Sequence, residues 1–336
     1  MRQPDIVSER RLKALREEAA RTGEVKGGGV VPSGAPFPRP NPPGYYGIPL
    51  LKEAVWTWQV PLYFFVGGAA GACAVIGFFA HVFESDPGLA RAALWIAFGG
   101  GLLCPLLLVA DLGRPSRFLY MLRVFKLRSP MSVGTWTLVL FSSAITLAVA
   151  TGALIVKGYD DVFLAILQWT GEATAMVSGL ILVSYTGVLL AVTAVPVWSE
   201  NRVLLPANFV ASGLGSAAGI LELLGFVNPT TQALGIVAAS AETLIGGLIE
   251  VRRRPVDAPL WSGKTGWALL AAGVLAGPIS LFLRLWWASD PTGRKAAAAC
   301  FLAGALTIRY AWLAAGRASA RNPQALFQIQ SKFPET

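Results

Sequence analysis

Histidine, cysteine and methionine are scarce in this sequence. Its 336 residues include one histidine (His81), three cysteines and four methionines. A b-type haem held between helices needs axial ligands of these kinds, and a single histidine excludes the usual pair of bis-histidine haems. Cys73, Cys104 and Cys300 form no CxxC pair. The sequence therefore predicts no haem, iron–sulfur cluster or metal site in this chain.

Charged residues are also few, at 14% of the chain, against about 25% in a soluble domain. From residue 54 onward the sequence is a series of continuous apolar runs, each long enough to cross a hydrocarbon core of ~30 Å. Continuous rather than alternating runs favour helices over a barrel. The sequence predicts an all-α polytopic membrane protein with about eight transmembrane helices in two packed bundles, at residues 57–83, 91–111, 132–156, 170–194, 203–225, 232–250, 266–287 and 296–316.

Three regions are predicted from this pattern. Residues 1–53 are polar, basic and rich in Gly and Pro, which is typical of a largely irregular arm. Residues 54–316 form the membrane domain, and residues 317–336 form a polar tail. The stretch 161–169 either lies at the membrane interface or extends the fourth span.

The positive charges are distributed unequally between the two sides of the predicted membrane domain. The side that holds both termini carries 22 Lys and Arg residues, and the opposite side carries four. The positive-inside rule then places both termini in the cytoplasm of a bacterial or archaeal cell, with the chain in its cytoplasmic (inner) membrane. The net charge of +9 largely reflects this bias. It gives no reason to expect nucleic acid as a partner, because no basic stripe lies on a soluble domain.

Three motifs carry a resemblance to a known family. The first is YYGIPLLKEAVWTWQVPLYFFVGGAAG at residues 45–71, with a W-x-W pair at the start of the first span. The second is ADLGRPSRF from residue 110, followed by SPMSVGTW up to residue 136. The third runs over residues 184–208, begins with SYTGVLL and contains PVW and LP. Together and in this order they resemble the NrfD/PsrC family, the membrane subunits of polysulfide-reductase-type complexes. The resemblance is weaker after residue 225.

The resemblance implies a specific function. Such subunits bind a quinone, either menaquinone or ubiquinone, near the membrane surface and carry no haem or metal of their own. Their partners are a ferredoxin-like multi-cluster Fe–S subunit and a catalytic subunit, which is molybdenum- or tungsten-dependent in some cases. Carried over by position, the quinone contacts fall on Tyr63 with Gln59 beside it, and on Tyr185. The family often has a histidine or another polar residue where Tyr63 stands.

The residues themselves are compatible with a quinone site. Gln59 and Tyr63 share one helix face with Trp56 by i,i+3/i+4 spacing. Tyr and Gln donate hydrogen bonds to a carbonyl, and Trp56 or Trp58 offers an aromatic wall. The competing interpretation is that Tyr63 and the two tryptophans belong to the interfacial aromatic belt.

Several charged residues fall in or beside the predicted spans, where charge is costly and suggests a function. Asp111 closes the second span and is predicted either to pair with Arg114 or Arg117 or to relay protons to the quinone. The remaining candidates could form a proton path across the membrane, or they could form static ion pairs. They are Glu172, Glu222, Glu242, Arg284 and Arg309.

The leading hypothesis is a quinone-binding membrane anchor whose N-terminal arm contacts the Fe–S partner. The alternative is a secondary transporter or ion channel without a redox partner, which the intramembrane Glu and Arg residues would suit. A third is a structural anchor whose quinone site has been lost.

Overall fold

The computed structural model describes residues 51, 54–83, 86–112, 114–159, 161–252, 254–287 and 290–322. The predicted arm at residues 1–53 lies outside these residues apart from Leu51, and so does the predicted tail beyond Asn322.

Within the described residues, eight helices are long and apolar enough to cross a membrane, which confirms the predicted all-α polytopic fold. The described residues contain no strand. The helices are α1 (Gln59–Val82), α2 (Pro87–Asp111), α3 (Pro130–Val156), α4 (Val162–Ala191), α5 (Leu204–Leu223), α6 (Pro229–Arg252), α7 (Gly263–Trp286) and α8 (Pro291–Ala320).

Side-chain caps explain why several helices begin where they do. The Asp86 carboxylate accepts hydrogen bonds from the backbone N–H groups of Gly88 and Leu89, both at 3.0 Å. Ser129 caps α3 and is followed by a proline at the first helical position, which suits the fixed φ of proline. Asp161 accepts from the N–H of Phe163 at 3.0 Å. The stretch 161–169 therefore belongs to α4, whose start lies eight residues before the predicted 170.

Helices α1 to α4 form one packed group. α1 packs against α2 and α4, and α3 packs against α4. Glycines bring α1 and α4 close together: a Cβ on Gly71 would lie 2.6 Å from the Gly179 carbonyl oxygen. Small residues permit such an approach between membrane helices. Close packing matters there because the surrounding lipid is apolar, so the hydrophobic effect contributes little to helix association.

Helices α5 to α8 form the second group. α5 packs on α6, and the Phe301 ring of α8 occupies the space beside Gly215 of α5. α7 contains a π-turn at Leu275–Ile279, around Pro278, and α6 packs on that turn. α5 also contacts α1 and α4, so the two groups join along α5.

The connections at the end where α1 begins contain short helices at Phe118–Met121, Pro196–Glu200 and Ala258–Trp261. Two of these connections are linked by polar contacts. The Asn201 amide donates to Asp257 at 2.9 Å, and the Arg254 guanidinium pairs with Glu200.

Candidate functional site

Tyr63 and Tyr185 lie together at one end of the α1–α4 group. Tyr63 is in the second turn of α1 and 2% exposed, and Tyr185 is in the last two turns of α4 and 8% exposed. The two phenols are close enough to interact electrostatically. Two residues 122 positions apart in the sequence therefore lie close together at the same end of the helix bundle.

Two small residues shape the space around the tyrosines. A Cβ on Gly134 of α3 would lie 1.9 Å from Cζ of Tyr185, so only glycine leaves room for that ring. Cys104 of α2 lies beside Tyr63, and its Sγ is 3.5 Å from the place of a Cβ on Gly67. All four helices of the group thus contribute to this enclosure.

Asp111 lies at the same end, where α2 finishes. Its carboxylate accepts a hydrogen bond from the Thr57 backbone N–H at 3.0 Å, and it also contacts the Thr57 hydroxyl. That hydroxyl in turn contacts the side-chain oxygen of Gln59. Asp111 and Gln59 are therefore connected through Thr57 into one polar cluster at the start of α1.

The two tryptophans of the W-x-W pair differ in their surroundings. Trp56 stacks on Trp198, with ring centroids 5.8 Å apart, and meets the Phe64 ring edge-on at 6.3 Å. Trp58 is 60% exposed, and its carbonyl accepts from the Tyr310 hydroxyl at 3.0 Å. Trp56 is thus part of an aromatic stack, whereas Trp58 has the exposure expected of an interfacial tryptophan.

Glu222 and Arg284 form a fully buried ion pair in the α5–α8 group. Both Arg284 guanidinium nitrogens Nη1 and Nη2 donate to the carboxylate at 2.7 Å. A Cβ on Gly235 would lie 2.1 Å from Cζ of Arg284, so this glycine of α6 makes room for the guanidinium. The fork-to-fork geometry is the strongest form of an Arg–carboxylate contact.

Glu242 and Arg309 form a second, looser pair in the same group. They interact electrostatically across the bundle. The Asn208 amide donates to Glu242 Oε2 at 2.5 Å. The Arg309 guanidinium lies 3.6 Å from the centroid of the Phe209 ring and donates to the Phe209 carbonyl at 3.1 Å.

Glu172 pairs with His81 at the end of the membrane domain opposite to the tyrosines. His81 Nδ1 lies 2.7 Å from the buried carboxylate, and the Gln168 amide donates to its other oxygen at 2.8 Å. The imidazole stacks on Trp169 at 4.8 Å. The three buried glutamates thus have three different partners.

Sequence reasoning missed Thr57, Cys104, Gly134, Gln168 and Asn208. Antiparallel helix order gives a partial signal, because it places the start of α1 and α3 beside the end of α2 and α4. Thr57 and Asp111 follow from that rule. The glycine at position 134 carries no chemistry of its own and is recognisable only once the Tyr185 ring has been placed.

These elements define a multi-pass membrane protein with buried polar pairs inside an apolar bundle. The described residues contain no group of three His, Cys, Asp or Glu side chains placed to hold a metal ion. A family model described as polysulfide reductase, of the NrfD type, matches residues 43–321. The chain belongs to this family of oxidoreductase membrane subunits. No curated protein matches the chain.

Proposed function

We propose that this chain is the quinone-reactive membrane anchor of a multi-subunit oxidoreductase, which exchanges electrons between an Fe–S partner and the membrane quinone pool. The observation that carries the proposal is the enclosure around Tyr63 and Tyr185. It offers two buried phenol donors below one membrane surface, and a quinone carbonyl needs such donors. A bound quinone, whether menaquinone or ubiquinone, supplies a two-electron and two-proton couple.

Each residue at this end then has a role. Tyr63 and Tyr185 donate hydrogen bonds and orient the ring. Asp111 holds or takes up a proton at the membrane surface, and Thr57 connects it to Gln59. Trp56 supports the start of α1 through its stack on Trp198, and the exposed Trp58 marks the mouth of the site.

The partners belong at the same end. Its surface loop between α2 and α3 exposes Arg114, Arg123, Lys126 and Arg128, a basic surface that suits an acidic ferredoxin-like subunit. The N-terminal arm precedes α1 in the sequence, and in this proposal it contacts the Fe–S subunit, which in turn contacts the catalytic molybdenum or tungsten subunit. Deleting residues 1–44 should therefore reduce assembly, and unchanged assembly would contradict the role given to the arm.

Gentle purification of the tagged chain, with mass spectrometry and assays for iron and quinone, tests the whole proposal. We expect a multi-cluster Fe–S protein and bound quinone to accompany the chain. A chain that stays alone, without iron or quinone, after cross-linking in the membrane before extraction would favour the transporter or channel.

Two conservative variants test the site itself in the assembled complex. Tyr63→Phe and Tyr185→Phe each remove one hydroxyl, and loss of a donor to a buried oxygen should lower kcat/KM for quinol about 10-fold. Tyr159→Phe is the matched control, because Tyr159 is 63% exposed at the opposite end. Full activity in both buried variants would indicate a structural anchor with no working quinone site.

Proton translocation is a separate proposal. The candidates Asp111, Glu172, Glu222, Glu242, Arg284 and Arg309 lie at different depths, and the two-fold hydrogen bonding of Glu222 by Arg284 suits a static brace. Glu172 is hydrogen-bonded by His81 and Gln168, and Glu242 by Asn208. Neither carboxylate is held by an arginine fork, and the two are therefore the better sites for proton exchange. Proton uptake by proteoliposomes during quinol turnover, compared between wild type and Glu172→Gln, measures this coupling.

A further inference from the structure

A cleft of about 360 Å³ lies in the α5–α8 group, apart from the tyrosine enclosure. Its floor is the place where α6 and α7 touch: a Cβ on Gly277, within the π-turn, would lie 2.8 Å from Thr243 Oγ1. Toward the end where α7 begins, the two helices separate. Cβ atoms on Gly246, Gly247 and Gly273 would meet no atom within 4 Å. The cleft therefore has an open side between α6 and α7.

The walls of the cleft are apolar and partly aromatic. Trp261 and Trp312 line it together with Leu269, Leu270 and Ile308. Leu270 and the neighbouring Leu248 of α6 are about half exposed, at 51% and 47%, as expected of side chains that face lipid. A molecule dissolved in the bilayer can therefore reach the cleft from the side.

The inner end of the cleft is polar and lacks partners. Glu242 and Asn208 line the cleft and are 3% and 4% exposed. Glu242 Oε1 and Asn208 Oδ1 have no hydrogen-bond partner among the described residues, and the Ser212 hydroxyl lies beside the carboxylate without completing a hydrogen bond. Buried acceptors without donors are unfavourable. At the two side chains that line the cleft the missing groups are hydrogen-bond donors, whereas the unpartnered donors Nε and Nη1 of Arg309 belong to a residue that is not among the lining residues.

We propose that this cleft is a second binding site for a membrane hydroquinone, whose hydroxyl donates to Glu242 Oε1 and Asn208 Oδ1 while its ring lies between the apolar walls. The proposal rests on the proposed function, since it takes its ligand from the same quinone pool. The volume is at the lower end of the range for small-molecule sites, which suits one substituted ring with its tail left in the bilayer.

The charges at the inner end favour a neutral donor. Arg309 already acts on the Glu242 carboxylate as a nearby positive charge, and Glu250, the other carboxylate that lines the cleft, has an interaction of its own, so an ammonium head group is not needed there. A water molecule can pair with the polar groups of the inner end, but it leaves the apolar walls of the cleft unfilled, whereas a ring with a hydroxyl meets both. The oxidised quinone has acceptors only and would leave both protein acceptors unpaired. The cleft should therefore discriminate between the reduced and the oxidised ring.

The test uses the complete complex in nanodiscs under anaerobic conditions, with duroquinol as the probe and duroquinone as its acceptor-only counterpart. Equilibrium dialysis gives the number of molecules bound per chain. Gly273→Leu fills the cleft without changing a polar group, and Gly99→Leu is its control, because Gly99 also has open space around it on α2. Glu242→Gln tests the polar end and should weaken one of the sites about 10-fold.

We expect two duroquinol molecules per chain in wild type and Gly99→Leu, and one in Gly273→Leu. Duroquinone should occupy only the tyrosine site. The inference would be overturned if Gly273→Leu still bound two duroquinol molecules per chain. It would also be overturned if the wild-type site that Gly273→Leu removes bound duroquinone as tightly as duroquinol. If wild type bound only one duroquinol molecule, and the double variant Tyr63→Phe, Tyr185→Phe lost it, the cleft proposal would be overturned and the proposed function would stand. A single site lost in Gly273→Leu alone would support the cleft and contradict the tyrosine site.

Discussion

At the scale of single residues, Gly235 decides whether Arg284 can stay buried. Any Cβ there would overlap the guanidinium, at 2.1 Å from Cζ, and breaking one side of a buried ion pair costs about 3–5 kcal/mol. We expect Gly235→Ala to lower the unfolding temperature in detergent by several degrees. Gly246→Ala is the control on the same helix, because its Cβ would meet open space. Equal unfolding temperatures of the two variants would contradict this account of Gly235.

The Glu222–Arg284 pair itself can be tested by replacing each residue, and then both, with an apolar residue. Glu222→Leu and Arg284→Met should each be strongly destabilising, since each leaves one charge buried without its partner. The double variant should recover most of the lost stability, because it leaves no charge behind. Differential scanning fluorimetry of the four proteins gives the interaction free energy as a double-mutant cycle. Additive losses in the double variant would show that the two side chains do not stabilise each other.

The buried partners show where sequence reasoning stops at this scale. The sequence placed three glutamates within spans and left a proton path and static pairs open; in the structure all three side chains are buried. Each of the three glutamates has a different partner in the structure. The partner of Glu172 is His81 rather than an arginine. Such pairings join residues 34 to 91 positions apart in the sequence, and helix rotation, which a single sequence does not determine, selects the partner.

At the scale of helices, the contact between α1 and α4 depends on two glycines. Cβ atoms on Gly71 and Gly179 would lie 2.6 and 2.8 Å from the carbonyl oxygen of the other residue. Because the obstacle is backbone on both sides, alanine has to push the helices apart. Gly71→Ala should lower the unfolding temperature and the quinol activity together, whereas Gly99→Ala should leave both unchanged. A Gly71→Ala protein as stable and active as wild type would mean that the helices tolerate a wider spacing.

The connection before α7 should respond to pH. Asp257 is 2% exposed, and burial raises the pKa of its carboxyl above the ordinary 3.8, against the opposing effect of the hydrogen bond from Asn201. The folded protein then holds the proton more tightly than the unfolded chain. The contribution of Asp257 to stability is present at low pH and declines as pH rises from 3.8 through the raised pKa.

Asp257→Asn should therefore flatten this part of the curve of unfolding temperature against pH and raise the unfolding temperature at pH 7. Asp86→Asn serves as the control, because asparagine caps a helix as well as aspartate does. A wild-type pH profile in Asp257→Asn would exclude Asp257 as the titrating group.

The predicted starts of all helices except α4 lie within five residues of the observed ones, including those of α2 and α3, which begin at a proline. The start of α4 was placed at residue 170, with 161–169 either at the interface or as an extension of the span, because the polar stretch at residues 168–172 interrupts the apolar run; the structure shows the extension, which begins after the Asp161 cap. The π-turn in α7 left no separate signal beyond Pro278. Its consequence, the divergence of α6 from α7, depends on packing between the two helices.

At the scale of the whole molecule, charge predicts which end faces the cytoplasm. The loop between α2 and α3 is basic, and Leu127 within it is 78% exposed. The turn between α3 and α4 lies at the other end, where Tyr159 is 63% exposed. The asymmetry of 22 against four Lys and Arg residues predicts that the loop between α2 and α3 lies inside the cell. The proposed quinone site and its partners would then lie at the cytoplasmic surface.

Labelling of single cysteines with a membrane-impermeant maleimide tests this orientation. The native Cys73 and Cys104 are buried and Cys300 is half-buried within α8, so they should react slowly. Tyr159→Cys should be labelled in intact spheroplasts, whereas Leu127→Cys should be labelled only after the membrane is opened. The reverse pattern would place the tyrosine end outside the cell. The basic loops would then serve to dock the Fe–S subunit rather than to set topology, and the partner would have to be exported to reach them.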